Sequence, residues 1–355
     1  MRALIFRNSS LVVGDLPDPE PDEGQVLVKT LAAGICGSDV HIRDLAAKAP
    51  PGSFPSEVVW GHEFCCELLG YGAGTEQKLK PGTRVCSVPI AYSARGASML
   101  GGAPVRPGGF AERMVLNESM LVPVPDGMPV EHAVLTEPMA VGWHAVEQSR
   151  AAPGDVPLVI GCGPVGLSVI AGLAIKGVHP IIAADFSPAR RKMAATMGAD
   201  IVLDPADGSP YEGWQRELTP DGVAADASSQ VDIRAILGLG PKLRPGVIFE
   251  CVGVPGVIQQ ILDGAMRETR VVVVGVCLER DEILPLSGLT KQVSIQFSIG
   301  YTPQEFAQTL RHLADGRIDG DSWITGKVGL NEAAGAFDDL KNPERHVKIL
   351  IEPWR

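Results

Sequence analysis

Short apolar runs separated by glycine, proline and polar breaks recur along this chain, and they fall into two textures. Leu158-Val159-Ile160, Ile181-Ile182-Ala183-Ala184, Ile201-Val202-Leu203, Val247-Ile248-Phe249 and Val271-Val272-Val273-Val274 are unbroken runs of strand length. Between the first two, Leu167-Ser168-Val169-Ile170-Ala171-Gly172-Leu173-Ala174 has helical character. Strands that are apolar throughout and alternate with helices predict a parallel, doubly wound sheet covered on both faces. Earlier runs, such as Gln25-Val26-Leu27-Val28-Lys29 and Thr83-Arg84-Val85-Cys86-Ser87-Val88, are punctuated by Pro-Gly turns. That pattern predicts an irregular antiparallel β-barrel. A strand-like Val293-Ser294-Ile295-Gln296-Phe297, a helix over 303–315 and a closing strand Val347-Lys348-Ile349-Leu350-Ile351 make up a tail expected to return to the barrel. The fold class is therefore α/β, with a doubly wound domain over 143–284 and a barrel domain over 1–142 completed by 285–355. Within the stretch 205–245, rich in Gly, Pro, Asp and Ser, a helix is expected near 231–237 and surface loops elsewhere.

Composition narrows the setting. A length of 355 residues suits two domains, and 45% hydrophobic with 21% charged residues is ordinary for a soluble globular protein. The opening Met1-Arg2-Ala3-Leu4-Ile5-Phe6 reads as a strand rather than a secretion signal, and no apolar stretch reaches the length of a membrane span. The expectation is a cytoplasmic protein with no membrane partner. A net charge of −11, with no long run among 31 Lys and Arg, argues against a nucleic-acid surface. Seven cysteines without framework spacing suit a reducing compartment, where thiols serve metals or cores and disulfides are absent.

Two motifs carry chemistry. After the strand at 158–160 the chain reads Gly161-Cys162-Gly163-Pro164-Val165-Gly166 and continues into a helix. Strand, G-x-G-x-x-G and helix in that order form the dinucleotide (Rossmann) fingerprint, in which backbone amides at a helix N-terminus approach a pyrophosphate. The next strand ends in Asp185, placed to accept hydrogen bonds from the adenosine ribose hydroxyls, and its charge would repel a 2′-phosphate. The expected cofactor is thus NAD rather than NADP. Arg190 is expected to help secure the ribose, whereas Arg191 and Lys192 read as a solvated helix face. Cys251, flanking an apolar strand, is counted with the cofactor contacts.

The other motif is Gly34-Ile35-Cys36-Gly37-Ser38-Asp39-Val40-His41, followed by Gly61-His62-Glu63. Thiolate, imidazole and carboxylate on glycine-bracketed turns are the ligand mix of a catalytic zinc site with an open fourth position. Cys65, Cys66, Cys162 and Cys277 read as core or strand-face residues, and His132 and His144 as structural histidines.

Together these residues resemble the zinc-dependent medium-chain dehydrogenases, which include alcohol, sorbitol, threonine and butanediol dehydrogenases. The likeness also covers Gly108-Gly109-Phe110-Ala111-Glu112, Leu135-Thr136-Glu137-Pro138 and Gly316-Arg317-Ile318-Asp319. It implies a GroES-like barrel, zinc ligands at Cys36 and His62, and Glu63 and Glu137 as candidate further ligands, one direct and the other acting through water. Glutamate at 137 resembles the polyol and diol branch. Cys86 stands alone in 85–114, where relatives carry four cysteines, so one catalytic zinc and no structural zinc are expected.

The resemblance places Val276 near the nicotinamide. It further implies a relay in which Ser38 passes the alcohol proton through a ribose hydroxyl to His41 at the surface. Trp60, Phe110 and Tyr301 are candidate pocket walls. The function implied is hydride transfer between NAD and a secondary alcohol or its ketone, a vicinal diol or hydroxyketone first and a polyol or L-threonine second. A homo-oligomer, dimer or tetramer, goes with it. Two other readings are a zinc-free quinone or enone reductase and a non-catalytic NAD-binding protein.

Overall fold

The computed structural model describes all residues except 9, 51–52, 56, 94–95, 102–105 and 220–241. The helix expected near 231–237 lies outside the described residues. Two compact units emerge, Met1–Pro138 with Thr302–Arg355, and Met139–Tyr301.

In the first unit, β1 (Arg2–Arg7) pairs antiparallel with β2 (Ser10–Asp15) and with β4 (Glu57–Val58). The larger sheet is built on β3 (Gln25–Gly34), which pairs antiparallel with β5 (Glu63–Tyr71) and β9 (Arg113–Asn117). Beyond β5 lie β6 (Arg84–Ser87) and β10 (Leu121–Pro123), while β7 (Ile90–Ser93) and β8 (Gly96–Met99) form a separate hairpin. Helix α1 (Gly37–Lys48) follows β3, and α2 (Val130–Val134) leads into α3 (Thr136–Ser149), within which the division between the units falls.

The core gathers Phe6, Trp60, Phe64, Phe110 and Phe337. Trp60 stacks on Phe6 with ring centroids 4.5 Å apart, and Phe110 meets Phe337 edge-on. Two of the three expected pocket walls, Trp60 and Phe110, are therefore buried core residues, while Tyr301 is half-buried. Aromatic rings dominate interior packing by area, and these two are used that way here.

The second unit holds an all-parallel sheet of β11 (Val156–Ile160), β12 (Ile182–Ala184), β13 (Ile201–Leu203), β14 (Gly246–Glu250), β15 (Arg270–Val273) and β16 (Ser294–Phe297). Its order is β13-β12-β11-β14-β15-β16, the doubly wound arrangement that the apolar runs predict. Helix α4 (Pro164–Ile175), with Pro at its first position, is buried from Gly166 to Leu173, as a crossover helix facing such a sheet must be. One expectation changes. The strand at 293–297 does not return to the barrel. Arg270 pairs with Ser294 and Val273 with Phe297, so it is the sixth strand of the parallel sheet and the second unit runs on to Tyr301. The chain then returns to the first unit as the helix Pro303–Ala314, β17 (Ile324–Val328), the helix Ala333–Asp339 and β18 (Lys348–Ile351). β18 pairs parallel to β17 and antiparallel to β3.

Candidate active site

Strand register brings the first motif together. Gly34 at the end of β3 pairs with Glu63 at the start of β5, so the turn carrying Cys36 meets the turn carrying His62. One ligand atom each from Cys36, His62 and Glu63 lie within 4.8 Å of one another. A side chain at Gly34 would collide with Glu63 Oε2, so glycine there is what allows the carboxylate to lie against β3.

Two residues given no role from the sequence complete the surroundings. Lys348, on β18, is buried and places Nζ 2.7 Å from both Glu63 carboxylate oxygens, and it also donates to the Ile35 carbonyl at 3.0 Å. Asp39, buried in the first turn of α1, accepts the Cys36 backbone N–H on Oδ2 at 2.9 Å and turns Oδ1 toward His62 Nδ1 at 3.6 Å. A carboxylate behind a histidine fixes the ring's orientation and leaves its other nitrogen for a metal.

The field of this pocket favours positive charge. Burial alone pushes the His62 imidazole down, but Asp39, Cys36 and Glu137 outweigh it and hold the group well above its ordinary range. Burial likewise opposes the Lys348 ammonium, and Glu63, with lesser help from Cys36 and Glu137, raises it above its usual value. Asp39 goes the other way, its carboxyl raised by burial against the pull of His62. Glu137, buried in the first turn of α3, is thus electrostatically felt at both His62 and Lys348. A pocket whose field favours positive charge, and that gathers a thiol, an imidazole and carboxylates, fits a zinc ion.

Ser38 and His41 stand three residues apart on α1, the first half-buried and the second exposed. That spacing puts them on one helix face. His132 pairs with Asp321 at 2.7 Å, in keeping with a structural role.

In the second unit the fingerprint forms the turn that the glycines require. A side chain on Gly166 would overlap the Gly161 carbonyl, so the first turn of α4 closes onto the loop only with glycine there. Pro164 and Val165 open α4 behind Gly163. Asp185, just past β12, accepts the Cys162 N–H on Oδ2 and the Ser187 N–H on Oδ1, each at 2.8 Å. Arg190 Nη1 is 3.8 Å from Asp185 Oδ2, and its guanidinium lies 3.8 Å from where a Gly163 side chain would begin. Arg191 is engaged elsewhere, with the Asp204 carboxylate and the Asp185 and Phe186 carbonyls. Cys251 follows β14 and donates its backbone N–H to Ile160, beside the glycine loop, and Val276 is 66% exposed past β15. Among the described residues, no helix is long and apolar enough to cross a membrane.

Sequence reasoning passes over Lys348 and Asp39 for different reasons. A single lysine inside the apolar run 347–351 is the signal for Lys348, since a charge there must be paired. Asp39 has only its place three residues after Cys36, which also fits an ordinary helix start.

Comparison with known proteins agrees with this geometry. Residues 22–126 match the alcohol dehydrogenase GroES-like domain family, and residues 164–315 match the zinc-binding dehydrogenase family. The (R,R)-butanediol dehydrogenase of Bacillus subtilis is 30% identical over 370 residues, covering 99% of this chain and all of that protein. The sorbitol dehydrogenase of Gallus gallus is 27% identical, covering 99% and 96% of the two chains. A crystal structure of 2R,3R-butanediol dehydrogenase from Bacillus subtilis superposes with a TM-score of 0.79 at 29% identity over 99% of each chain. Likeness at this level runs through the barrel that gathers Cys36 and His62 as well as the sheet that carries the glycine loop. This protein belongs to the zinc-dependent medium-chain dehydrogenases, enzymes that act on CH–OH groups with a nicotinamide cofactor.

Proposed function

We propose that the protein oxidises a vicinal diol, or reduces the matching hydroxyketone, with NAD as the hydride partner. The convergence of Cys36, His62 and Glu63 on one point carries this reading. The butanediol dehydrogenases among the relatives favour a diol. The sorbitol dehydrogenases keep a polyol as second choice.

In this reading Cys36 and His62 would hold one zinc ion together with Glu137, whose charge is felt at both His62 and Lys348. Glu63, gathered with Cys36 and His62 but already matched in charge by Lys348, would stand beside the metal. When bound, the zinc supplies Lewis acidity that lowers the pKa of an alcohol hydroxyl. Ser38 Oγ would take up the hydroxyl proton as it gives up its own, and His41, exposed one turn further along the same face of α1, would return a proton to solvent. Asp39 keeps the His62 ring in place throughout. Gly161, Gly163 and Gly166, with Pro164 and Val165, would cradle the pyrophosphate, and Cys251 and Val276 would serve the nicotinamide end.

The choice of NAD over NADP rests on Asp185. Its carboxylate is held by two backbone donors just past β12, where the fingerprint leads one to expect the adenosine ribose, and Arg191 is engaged with Asp204 rather than open to a 2′-phosphate. Asp185→Ala should raise KM for NAD about tenfold, the scale of a lost hydrogen bond to a charged group, while NADP gains relative to NAD. Steady-state kinetics with both cofactors measure this, and an unmoved KM for NAD removes Asp185 from the ribose site.

The seven free thiols fit a cytoplasmic enzyme. β16, with one sheet neighbour among the described residues, and the exposed Leu289, Phe297 and Ile299 beside it support pairing with a second copy of the chain.

The substrate reading is tested by NADH formation on vicinal diols, simple secondary alcohols, sugar alcohols and threonine, each with and without a chelator. A chelator-sensitive signal strongest on a vicinal diol is expected. A signal confined to sugar alcohols would move the assignment to polyols, and silence across the panel with zinc and NAD bound would end the catalytic reading.

A further inference from the structure

Two buried thiols lie between the strand that begins with Glu63 and α2, the helix that leads into the one carrying Glu137. Cys65 stands two residues after Glu63 on β5, so its side chain leaves the strand on the same face. β5 and β6 pair with Cys66 opposite Val85 and Glu67 opposite Arg84. One step further along that register sets Cys65 against Cys86. The Cys86 thiol feels both Cys65 and the Thr136 hydroxyl electrostatically.

Cys86 Sγ donates to the Ala133 carbonyl at 3.3 Å, the same oxygen that the Thr136 hydroxyl meets at 2.7 Å. Ala133, Thr136, Cys65 and Cys86 are all fully buried. The contact with Cys65 and burial together push the Cys86 thiol well above its ordinary pKa, so Sγ keeps the proton it donates. Ala133 lies near the end of α2, where its carbonyl also faces the backbone N–H of the cap residue Leu135. Glu137 follows Thr136 in the first turn of α3.

We propose that Cys86 is a positioning residue for Glu137: its thiol ties the α2–α3 junction to β6 and so sets where the Glu137 carboxylate stands relative to Cys36 and His62. A buried cysteine is ordinarily just a small apolar residue, but this one is aimed at a carbonyl one turn before a ligand candidate. Removing the thiol orphans nothing, because Thr136 still satisfies the Ala133 oxygen. Loss of Cys86 should therefore move the site more than it weakens the fold. The inference rests on the reading that Glu137 is a zinc ligand.

The test uses the full-length protein carrying Cys86→Ala, Cys86→Ser or Glu137→Gln. Zinc affinity is measured by competition with a chromophoric chelator, the ligand field by the visible spectrum of the cobalt-substituted form, and the fold by the urea midpoint. Glu137→Gln should weaken zinc and shift the cobalt bands. Cys86→Ala should weaken zinc about tenfold, the usual scale for a group that orients a ligand, and shift the same bands. Cys86→Ser, which keeps a donor, should recover most of both changes. Wild-type affinity and spectrum in Cys86→Ala, alongside an altered Glu137→Gln, overturns the positioning role. So does a Ser variant no better than the Ala variant. If Glu137→Gln changes neither readout, it is the assignment of Glu137 as a ligand that fails.

Discussion

Lys348→Met should cost the metal-free protein about 3–5 kcal/mol of folding stability, the range found when one member of a buried ion pair is removed. Lys348 and Glu63 are 1% and 0% exposed, and the ammonium touches both carboxylate oxygens at 2.7 Å. The substitution leaves a carboxylate in a pocket where Glu137 already adds negative charge. Replacing both partners, Lys348→Met with Glu63→Gln, removes the stranded charge and should regain most of the loss. Zinc carries charge of the missing sign, so the zinc-loaded variant should lose less than the metal-free one. Urea midpoints of the wild type, Lys348→Met and the double variant, each with and without zinc, settle it. A loss below about 1 kcal/mol in the single variant would put the pair in the class of solvent-exposed bridges and sink the argument.

Cys36→Ser and His62→Ala should each lower kcat/KM by about a thousandfold or more, since a bound metal contributes several kcal/mol of charge stabilisation. Zinc content, read by atomic emission on dialysed protein, should fall with it. Cys36→Ser acts on a turn rather than on the core, so the urea midpoint of its metal-free form should change little, whereas His62→Ala also takes away the partner of the buried Asp39 and should lower it. Turnover that persists in either variant without bound metal would show that the Cys36–His62 group is not the reaction centre.

Much of this was open to reading in advance because it is local. The glycine loop, the strand before it and Asp185 sit within one βαβ stretch, and their order alone fixes their use. Cys36 and His62 are further apart, yet each lies on a glycine-marked turn whose residue types narrow the chemistry. What escaped depends on pairings between distant segments. The strand 294–297 reads equally well in either unit until its register with β15 is known. Trp60 and Phe110 look like pocket residues from their neighbours in sequence, and only the packing of Phe6 and Phe337 against them makes them core. Lys348 is a lone charge in an apolar strand until β18 lies beside β3 and brings it to Glu63.

That last pairing has a consequence for the order in which the chain can acquire its structure. Glu63 and Lys348 are 285 positions apart, and the whole of 139–301 lies between them. Domains commonly fold as they leave the ribosome, the N-terminal one first. Here the parallel sheet, continuous in sequence, can close while the earlier barrel still lacks β17 and β18. The Glu63 carboxylate stays without its ammonium until those strands are made. The unit that begins the chain is the one that finishes last, and its metal pocket is among the final features to form.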